Sequence, residues 1–363
     1  MYRFSALLIA CAAPALFLAC GSDDGGGGAH HPGGSGGRGG TGALPDTTRI
    51  DPLAADRLYV VNGGDATISV IDTERHEVAG VIRISNASYP HHVYLSSDGA
   101  RLALALPGMD LSGGHGAHGS TMAGYVMLLN AIDGSTIAAH PTSAMNHNAA
   151  FSPDGQEVWT AVGTTPGEVL VLDASSLSEK SRIVVGNGPA EVTFSVSGKH
   201  AFVANGASNS ITIIDASDKK VVKTLPVDAG PVGAWQGANG VAYVDNEEAE
   251  TVTAIDTTAL DVQHTYELGF MPGMVALGPD DRLWITDAEN GKVVFNMPDM
   301  DMRTGELATG AGAHGIAFSG DGKTAYVSNQ EADTVSVIDV AASQIIKTIA
   351  VGRKPNGLAW RAK

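Results

Sequence analysis

The run "YVVN" at residues 59–62 decides the fold, because close copies of it return along most of the chain. After each copy come a short polar loop and an alternating apolar stretch such as "TISVID" (67–72), and before most copies come an apolar strand and a turn, as in "NAAFSPDG" (148–155). A unit of four short strands that repeats every 42 residues or so is typical of a propeller blade. The copies are "FVAN" (202–205), "YVDN" (243–246) and "YVSN" (326–329), with "WITD" (284–287) as a variant.

The number of predicted innermost strands gives the number of blades, because each blade has one. The stretch from Arg57 to Ile84 supplies only three strands, whereas the chain ends on an innermost strand without a partner, "NGLAW" (356–360). We therefore predict an all-β, seven-bladed β-propeller of four-stranded blades over residues 51–363, closed by the C-terminal strand joining the N-terminal blade, which leaves no blade edge unpaired around the ring. The seven innermost strands begin near His91, His147, Ala190, Pro231, Gly273, His314 and Asn356.

This repeat region resembles the YVTN family of seven-bladed β-propellers, which occur in bacterial and archaeal surface and periplasmic proteins. The "YVVN", "FVAN" and "YVSN" runs and the "SPDG"-type turns carry the resemblance, which covers about 300 of the 363 residues. The resemblance implies the fold. It does not imply one activity, because propellers serve as binding proteins, lyases and redox enzymes.

The N-terminus resembles a bacterial lipoprotein signal peptide over residues 1–19. A basic start and an apolar run are followed by Leu18-Ala19-Cys20, the end of a lipobox. The resemblance implies cleavage before Cys20, lipidation of its thiol and a place in the outer membrane or periplasm, with the cell surface as a further location. Ordinary secretion with Cys20 left free is the alternative. Residues 20–50 are Gly-rich and predict a flexible tether between the lipid anchor and the propeller.

The charge and the cysteines limit the partners. A formal net charge of −17 disfavours binding to nucleic acid and favours cations. Cys11 leaves with the predicted signal peptide and Cys20 is the predicted lipid site, so the propeller offers no thiolate to a metal. Nitrogen, oxygen or thioether ligands must then hold any metal ion.

Three histidines occupy one repeat position. Counting back five residues from the serine that opens each "SSDG", "SPDG" or "SGDG" turn reaches His91, His147 and His314, and His92 follows His91 directly. This position precedes the innermost strand, beside the central channel. We expect these four side chains to meet at the axis on one face, whereas His76, His140, His200 and His264 are expected at the surface.

An insertion adds two more histidines to that face. Where other blades have a loop of about five residues, the second blade carries "LPGMDLSGGHGAHGSTMAG" (106–124), with His115 and His118. We expect these two histidines to form a mobile outer pair over the inner four. The loops "NEEAE" (246–250), "DAENG" (287–291) and "NQEAD" (329–333) are expected on the same face and would make another part of it negative.

Clustered imidazoles predict a transition-metal site. Neutral imidazole binds Zn(II) and Cu(II) well without carboxylate or thiolate partners. Met271 and Met274 flank the histidine position in the sixth blade and would favour copper, although methionine also fills hydrophobic gaps. Two local resemblances agree with a metal: the adjacent histidines resemble those of the propeller of nitrous oxide reductase, and "GGHGAHG" (113–119) resembles insertions in periplasmic zinc-chaperone propellers.

The sequence thus predicts an exported, lipid-anchored propeller that binds zinc or copper through His91, His92, His147 and His314. Transfer or storage of the ion is favoured over catalysis, because no acid–base pair or nucleophile motif names a reaction. One alternative is a metal-free cell-surface propeller that binds a protein or glycan on its loop face. A second alternative is a copper-dependent oxidoreductase.

Overall fold

The computed structural model describes residues 43–112, 123–298 and 302–363. In these residues the chain forms seven antiparallel sheets of four or five strands, which we number as blades I to VII in chain order. The predicted seven-bladed propeller is confirmed. Within the same residues the chain forms no helix with the length and apolar character of a membrane span.

The strands follow one another along the chain in blade order, and each of blades II to VII runs from an innermost to an outermost strand. Blade I takes β1 (Asp46–Thr47), β2 (Arg57–Asn62), β3 (Thr67–Asp72) and β4 (Glu77–Ser85), and blade II takes β5 (Val93–Leu95), β6 (Arg101–Leu106), β7 (Tyr125–Asn130) and β8 (Thr136–Pro141). Blade III consists of β9 (Ala150–Phe151), β10 (Glu157–Val162), β11 (Gly167–Asp173) and β12 (Glu179–Val185). Blade IV consists of β13 (Pro189–Phe194), β14 (His200–Asn205), β15 (Ser210–Asp215) and β16 (Lys220–Pro226), with a 3-10 turn at Gly206–Ser208.

The remaining blades repeat the same order. Blade V consists of β17 (Pro231–Gln236), β18 (Val241–Asn246), β19 (Thr251–Asp256) and β20 (Asp261–Glu267). Blade VI consists of β21 (Pro272–Leu277), β22 (Leu283–Asp287), β23 (Lys292–Met297) and β24 (Met302–Ala308). Blade VII consists of β25 (Ala313–Phe318), β26 (Thr324–Asn329), β27 (Thr334–Asp339) and β28 (Gln344–Ala350), and the chain ends in β29 (Pro355–Arg361).

The C-terminal strand closes the ring as predicted. β29 pairs with β2 in antiparallel register, with Trp360 opposite Leu58 and Ala359 opposite Tyr59, and so becomes the innermost strand of blade I. The short strand β1 adds to the outer edge of the same blade, with Asp46 opposite Ser85 of β4. Sequence reasoning did not predict β1, which lies in the last residues of the stretch assigned to the tether.

Packing between neighbouring blades explains the strand patterns. The second and third strands of a blade, such as β2 and β3, are buried along their whole length because both faces pack against other blades. Tyr59 of blade I contacts the hydrophobic cluster that includes Met127 of blade II, whereas Leu58 faces Tyr326 of blade VII. The outermost strands, such as β28, are mostly exposed. Burial of these apolar faces is the main source of stability for the ring.

The asparagine that ends each "YVxN" run forms what we call the asparagine layer, made of Asn62, Asn205, Asn246 and Asn329. Each side-chain amide donates to two hydroxyls on the next strand of its own blade, at 2.9 Å for both Thr67 and Ser69 in blade I. All four side chains are buried, so these hydrogen bonds replace those that water would make. The motif that identifies the fold thus fixes the turn between the second and third strands. The other hydroxyl partners in this layer are Ser210, Thr212, Thr251, Thr253, Thr334 and Ser336.

Candidate functional site

The predicted repeat position of the histidines is present in the strand register. Pro189 of blade IV and Ala313 of blade VII pair with the layer asparagines Asn205 and Asn329, and Asn146 of blade III bridges to the equivalent Val162. The residues that follow are Ala190, His314 and His147, which therefore share one level of the central channel. Asn356 takes this position in blade I because Pro355 pairs with Asn62.

His91, His92 and His147 come together at that level, and we call these three residues the histidine cluster. The Nε2 atoms of His91 and His147 lie 3.0 Å apart, and donor atoms of all three rings lie within 4.8 Å of one another. The ring centres are 4.3 Å apart for His91 and His147 and 4.4 Å apart for His91 and His92. All three side chains are almost fully buried, with exposed fractions of 2%, 4% and 2%. The prediction that the ring would gather histidines distant in the chain is confirmed for these three.

Glu191 joins the cluster, and sequence reasoning missed it. Its Oε1 lies 3.0 Å from Nδ1 of His147 and 3.1 Å from Nε2 of His92, and the residue is completely buried. Glu191 lies in β13 of blade IV, one residue after Ala190, and corresponds in register to His92 of blade II. A charged residue at that position in an otherwise apolar strand was the signal that could have identified it.

Burial raises the pKa of the Glu191 carboxyl well above its ordinary value, and the nearby carboxylates of Asp245 and Glu247 raise it further. Asp245 is itself buried and accepts hydrogen bonds from the backbone N–H of Gly233 and the indole N–H of Trp235. A cation placed beside Glu191 would stabilise its ionised form, because opposite charges favour each other strongly in a buried site.

Asn356 supports the cluster from blade I. Its side-chain amide nitrogen contacts Nδ1 of His91, and the backbone N–H of Gly357 donates to the carbonyl of His91 at 3.0 Å. An amide nitrogen can only donate, so Nδ1 of His91 accepts in this arrangement and Nε2 carries the proton. That proton then lies between the two facing Nε2 atoms of His91 and His147.

His314 lies beside the histidine cluster. Its ring centre is 5.9 Å from that of His91 and 6.0 Å from that of His92, and the side chain is buried. The group of donor atoms within 4.8 Å consists of His91, His92 and His147. His314 lines a cavity that opens toward the loop face, which places it between the cluster and that cavity.

This mouth cavity has a volume of about 330 Å³ and is lined by Glu247, Met271, Glu289, His314, Gln330 and Glu331, among others. The three carboxylates come from the loops between the second and third strands of blades V, VI and VII, as predicted. Glu289 and Glu331 are exposed, whereas Glu247 is buried. These carboxylates make the opening of the mouth cavity negatively charged, on the face of the propeller that carries the loops between the second and third strands.

Several predicted residues lie outside the part of the chain that the structure describes. These are His115 and His118 of the insertion and Cys20 at the predicted lipid site. The four remaining histidines of the propeller are described. His76, His140 and His264 are partly exposed, but the prediction of a surface position is wrong for His200, which is buried. Its Nδ1 lies 3.3 Å from the carbonyl of Thr257 in the neighbouring blade, so its role is packing between blades.

Met271 and Met274, the two methionines predicted to flank the histidine position, have different surroundings. Met271 lines the mouth cavity, as does His314. Met274 packs between blades VI and VII, and its sulfur accepts a hydrogen bond from the backbone N–H of Ile316 at 3.1 Å. Met274 therefore has the packing role that methionine often takes in a hydrophobic core.

Sequence comparison adds a distant relative. No model of a known protein family matches the chain. The chain is similar to YncE. This uncharacterized protein of Salmonella typhimurium (strain LT2) is 26% identical over 219 residues, which cover 56% of this chain and 60% of the relative. YncE of Salmonella typhi is 22% identical over 160 residues, which cover 42% and 45%. The chain thus matches about half of the length of these relatives.

Structural comparison supports the fold. The periplasmic gluconolactonase PpgL of Pseudomonas aeruginosa is similar with a TM-score of 0.68 and 18% identity, over 85% of this chain and 99% of that one. The dihydro-heme d1 dehydrogenase NirN is similar with a TM-score of 0.61 and 16% identity, over 86% and 79%. Different functions on one scaffold mean that the site of this chain has to be interpreted from its own residues.

Proposed function

We propose that the protein binds one transition-metal ion, zinc or copper, through the imidazoles of His91, His92 and His147. The observation that carries the proposal is the 3.0 Å separation of the Nε2 atoms of His91 and His147, with His92 beside them in a buried site. Buried imidazoles that face one another are the ligand set that these metals prefer when thiolates are absent.

The distance between the two nitrogens fits a shared ion. Imidazole nitrogens lie about 2.0–2.1 Å from zinc, so two of them 3.0 Å apart subtend about 95° at the ion. That angle lies between the value of about 90° in square-planar coordination, which Cu(II) prefers, and the value of about 109° in tetrahedral coordination, which zinc prefers. Without an ion, the proton on Nε2 of His91 keeps the two nitrogens together, and the metal would take the place of this proton.

Glu191 would orient and balance the site. Its carboxylate is within hydrogen-bonding distance of His147 through Nδ1, which leaves Nε2 of that ring directed at His91. Carboxylates behind metal-binding histidines fix the tautomer and raise the basicity of the ring. The positive charge of the ion would in turn stabilise a carboxylate that is costly to ionise when buried alone.

The mouth cavity would supply the ion. Glu247, Glu289 and Glu331 would concentrate cations at the opening, and His314 would pass them to the cluster from the cavity wall. His115 and His118 would complete the set from the insertion. An open route of this kind suits transfer or storage of an ion better than a closed structural site.

The location of the protein is a second part of the proposal. We propose that it is exported and anchored by lipid at Cys20, in the outer membrane or periplasm. The apolar run before Leu18-Ala19-Cys20 supports this. Intact-mass analysis of the mature protein tests it: a diacylated or triacylated N-terminal Cys20 is expected, and an unmodified N-terminus or a retained signal peptide would overturn it.

The metal proposal is tested with the full chain purified without a histidine tag. After treatment with a chelator, zinc and copper are titrated separately and the bound metal is counted by elemental analysis. We expect one tight ion per chain in the unaltered protein and loss of that ion in the His91→Ala/His147→Ala variant. The matched control, His76→Ala/His140→Ala, removes two partly exposed histidines and should keep the ion.

Two outcomes would overturn the proposal. One is no tight metal in the unaltered protein, which would favour the metal-free surface propeller. The other is equal metal content in the His91→Ala/His147→Ala variant and the unaltered protein. Circular dichroism identifies variants that fail to fold, and in that case His147→Gln, which keeps the volume but not the imidazole, replaces the double variant.

A further inference from the structure

A second cavity lies in the central channel, on the side of the histidine cluster that faces away from the mouth cavity. It has a volume of about 270 Å³ and is lined by His92, Tyr94, Trp235, Met274, Ile316 and Trp360, with further apolar residues between them. We call it the channel cavity. Its lining residues follow the innermost strands away from the mouth, toward the turns between the first and second strands, so it is separate from the acidic mouth cavity.

The walls of the channel cavity are apolar and aromatic. Two indoles and a phenol contribute ring surface, the imidazole of His92 and Gly357 lie among them, and the other side chains are aliphatic or thioether. No Asp, Glu, Lys or Arg lines it among the described residues. Transfer of a charged molecule into such walls is costly, whereas a planar aromatic ring gains both burial and favourable ring contacts.

Two polar groups in the cavity are already held in place. The indole N–H of Trp235 donates to Asp245 at 2.7 Å, which fixes that ring as a wall. The amide of Asn148 donates to the hydroxyl of Tyr94 at 3.3 Å, which holds the phenol in place. The walls formed by Trp235 and Tyr94 are therefore preformed.

The indole N–H of Trp360, a residue that lines the cavity, is buried and has no acceptor within the described part of the chain. Buried polar groups in folded proteins are nearly always hydrogen-bonded, so an isolated indole donor beside a cavity calls for an explanation. An acceptor on a bound molecule would supply the missing partner. His92 lies at the inner end of the cavity, where its ring is 5.7 Å from that of Trp235 and its Nε2 is 3.1 Å from Oε1 of Glu191.

We propose that the channel cavity binds a small neutral aromatic molecule that carries a hydrogen-bond acceptor. The ring lies between Trp235 and Trp360, and the acceptor faces the N–H of Trp360. The volume suits a single substituted ring, since a cavity of about 150 Å³ holds benzene and pockets for drug-sized ligands begin at about 300 Å³. This inference does not depend on the metal proposal, because no ion takes part in the contacts.

The test uses three fluorinated probes of similar size and different charge, followed by ¹⁹F NMR on the full chain in the presence of a chelator. The neutral 4-fluorophenol is expected to bind. The anionic 4-fluorobenzoate and the cationic 4-fluorobenzylamine are expected to bind at least tenfold more weakly. No binding of 4-fluorophenol at millimolar concentration, or equal binding of the three probes, would overturn the proposal.

A matched pair of substitutions locates the binding. Ile316→Trp fills the cavity and should reduce the affinity for 4-fluorophenol at least tenfold, whereas Ile346→Trp places the same side chain on the exposed strand β28 and should leave it unchanged. Equal affinity in both variants would place the probe elsewhere and overturn the proposal. If Ile316→Trp does not fold, Trp360→Leu removes the donor and one ring wall, and unchanged affinity in that variant would have the same meaning.

Discussion

The asparagine layer and the histidine cluster are both buried and polar, but they are held in opposite ways. Asn62, Asn205 and their equivalents repeat from blade to blade, and each satisfies hydroxyls on its own blade. At the strand position of His91 and His147, most other blades carry a different residue type. The contacts of the histidine cluster run between blades, as from His147 of blade III to Glu191 of blade IV. A polar group that repeats and bonds locally supports the fold, whereas one that departs from the repeat and bonds across the ring indicates a site.

The largest effect expected from this difference is on metal binding. His147→Ala removes one of the two facing nitrogens and should lower metal affinity at least 100-fold, about 2.8 kcal/mol. The cost exceeds the 10–100-fold typical of losing a residue behind the ligands. Competition with a chelator of known affinity measures it, and a change below about threefold would place His147 with the structural residues.

Glu191→Gln sharpens the comparison because it keeps shape and hydrogen bonding but removes the charge. We expect a loss of metal affinity of about 10–100-fold, since the carboxylate orients His147 and balances the ion. Competition titration of the variant measures it. Glu168→Gln, at a partly exposed position of strand β11 in blade III, is a control that should leave the affinity unchanged. Equal affinities of both variants would assign Glu191 to packing alone.

Asn205→Ala should show the reverse pattern. It leaves the hydroxyls of Ser210 and Thr212 without their donor in a buried turn, at an expected cost of about 2 kcal/mol in the free energy of unfolding. Metal affinity should not change, because the residue lies in the asparagine layer of blade IV. Urea denaturation measures the first quantity. A stability equal to that of the unaltered chain would contradict the structural role of the layer.

The raised pKa of Glu191 gives a smaller, pH-dependent effect in the metal-free protein. Between the ordinary pKa of glutamate and the raised value in the fold, the native state holds a proton that the unfolded chain has released. Stability therefore falls as the pH rises through this range, and the loss should be reduced in Glu191→Gln. Thermal unfolding at a series of pH values measures the slope. The same slope in both proteins would show that Glu191 is not the group responsible.

The smallest effect is expected at the mouth cavity. Glu289→Gln/Glu331→Gln removes two exposed charges and should slow metal association a few-fold at low salt, with little change in affinity at equilibrium. Stopped-flow measurements at two salt concentrations test this, because the difference should shrink as salt screens the charges. An association rate that is unchanged at low salt would mean that ions reach the cluster by another path.

Much of this arrangement was predictable from the sequence because a propeller converts sequence period into position around an axis. The "YVxN" period predicts seven blades and the closure through β29, and counting from the serine of each turn predicts the meeting of His91 and His147. β1 was not predictable, since two residues at an outer edge have no period of their own.

Individual side chains were harder to predict. Glu191 stands alone in an apolar strand, so its charge was recognisable as part of a site only by comparing its register with His92. The prediction that His200 lies at the surface was wrong. A residue just after a turn is usually exposed, whereas contact with the neighbouring blade buries this one. Side-chain burial in a propeller depends on the adjacent blade, which lies about 42 residues away and is invisible to local patterns.

The most direct test of the central claim is anomalous X-ray diffraction from crystals of the zinc-loaded chain, with data collected on both sides of the zinc absorption edge. The account predicts one strong peak in the channel, about 2.0–2.1 Å from Nε2 of His91 and Nε2 of His147. A channel without a peak at that level, with zinc found only at surface histidines such as His76 or His140, would contradict it.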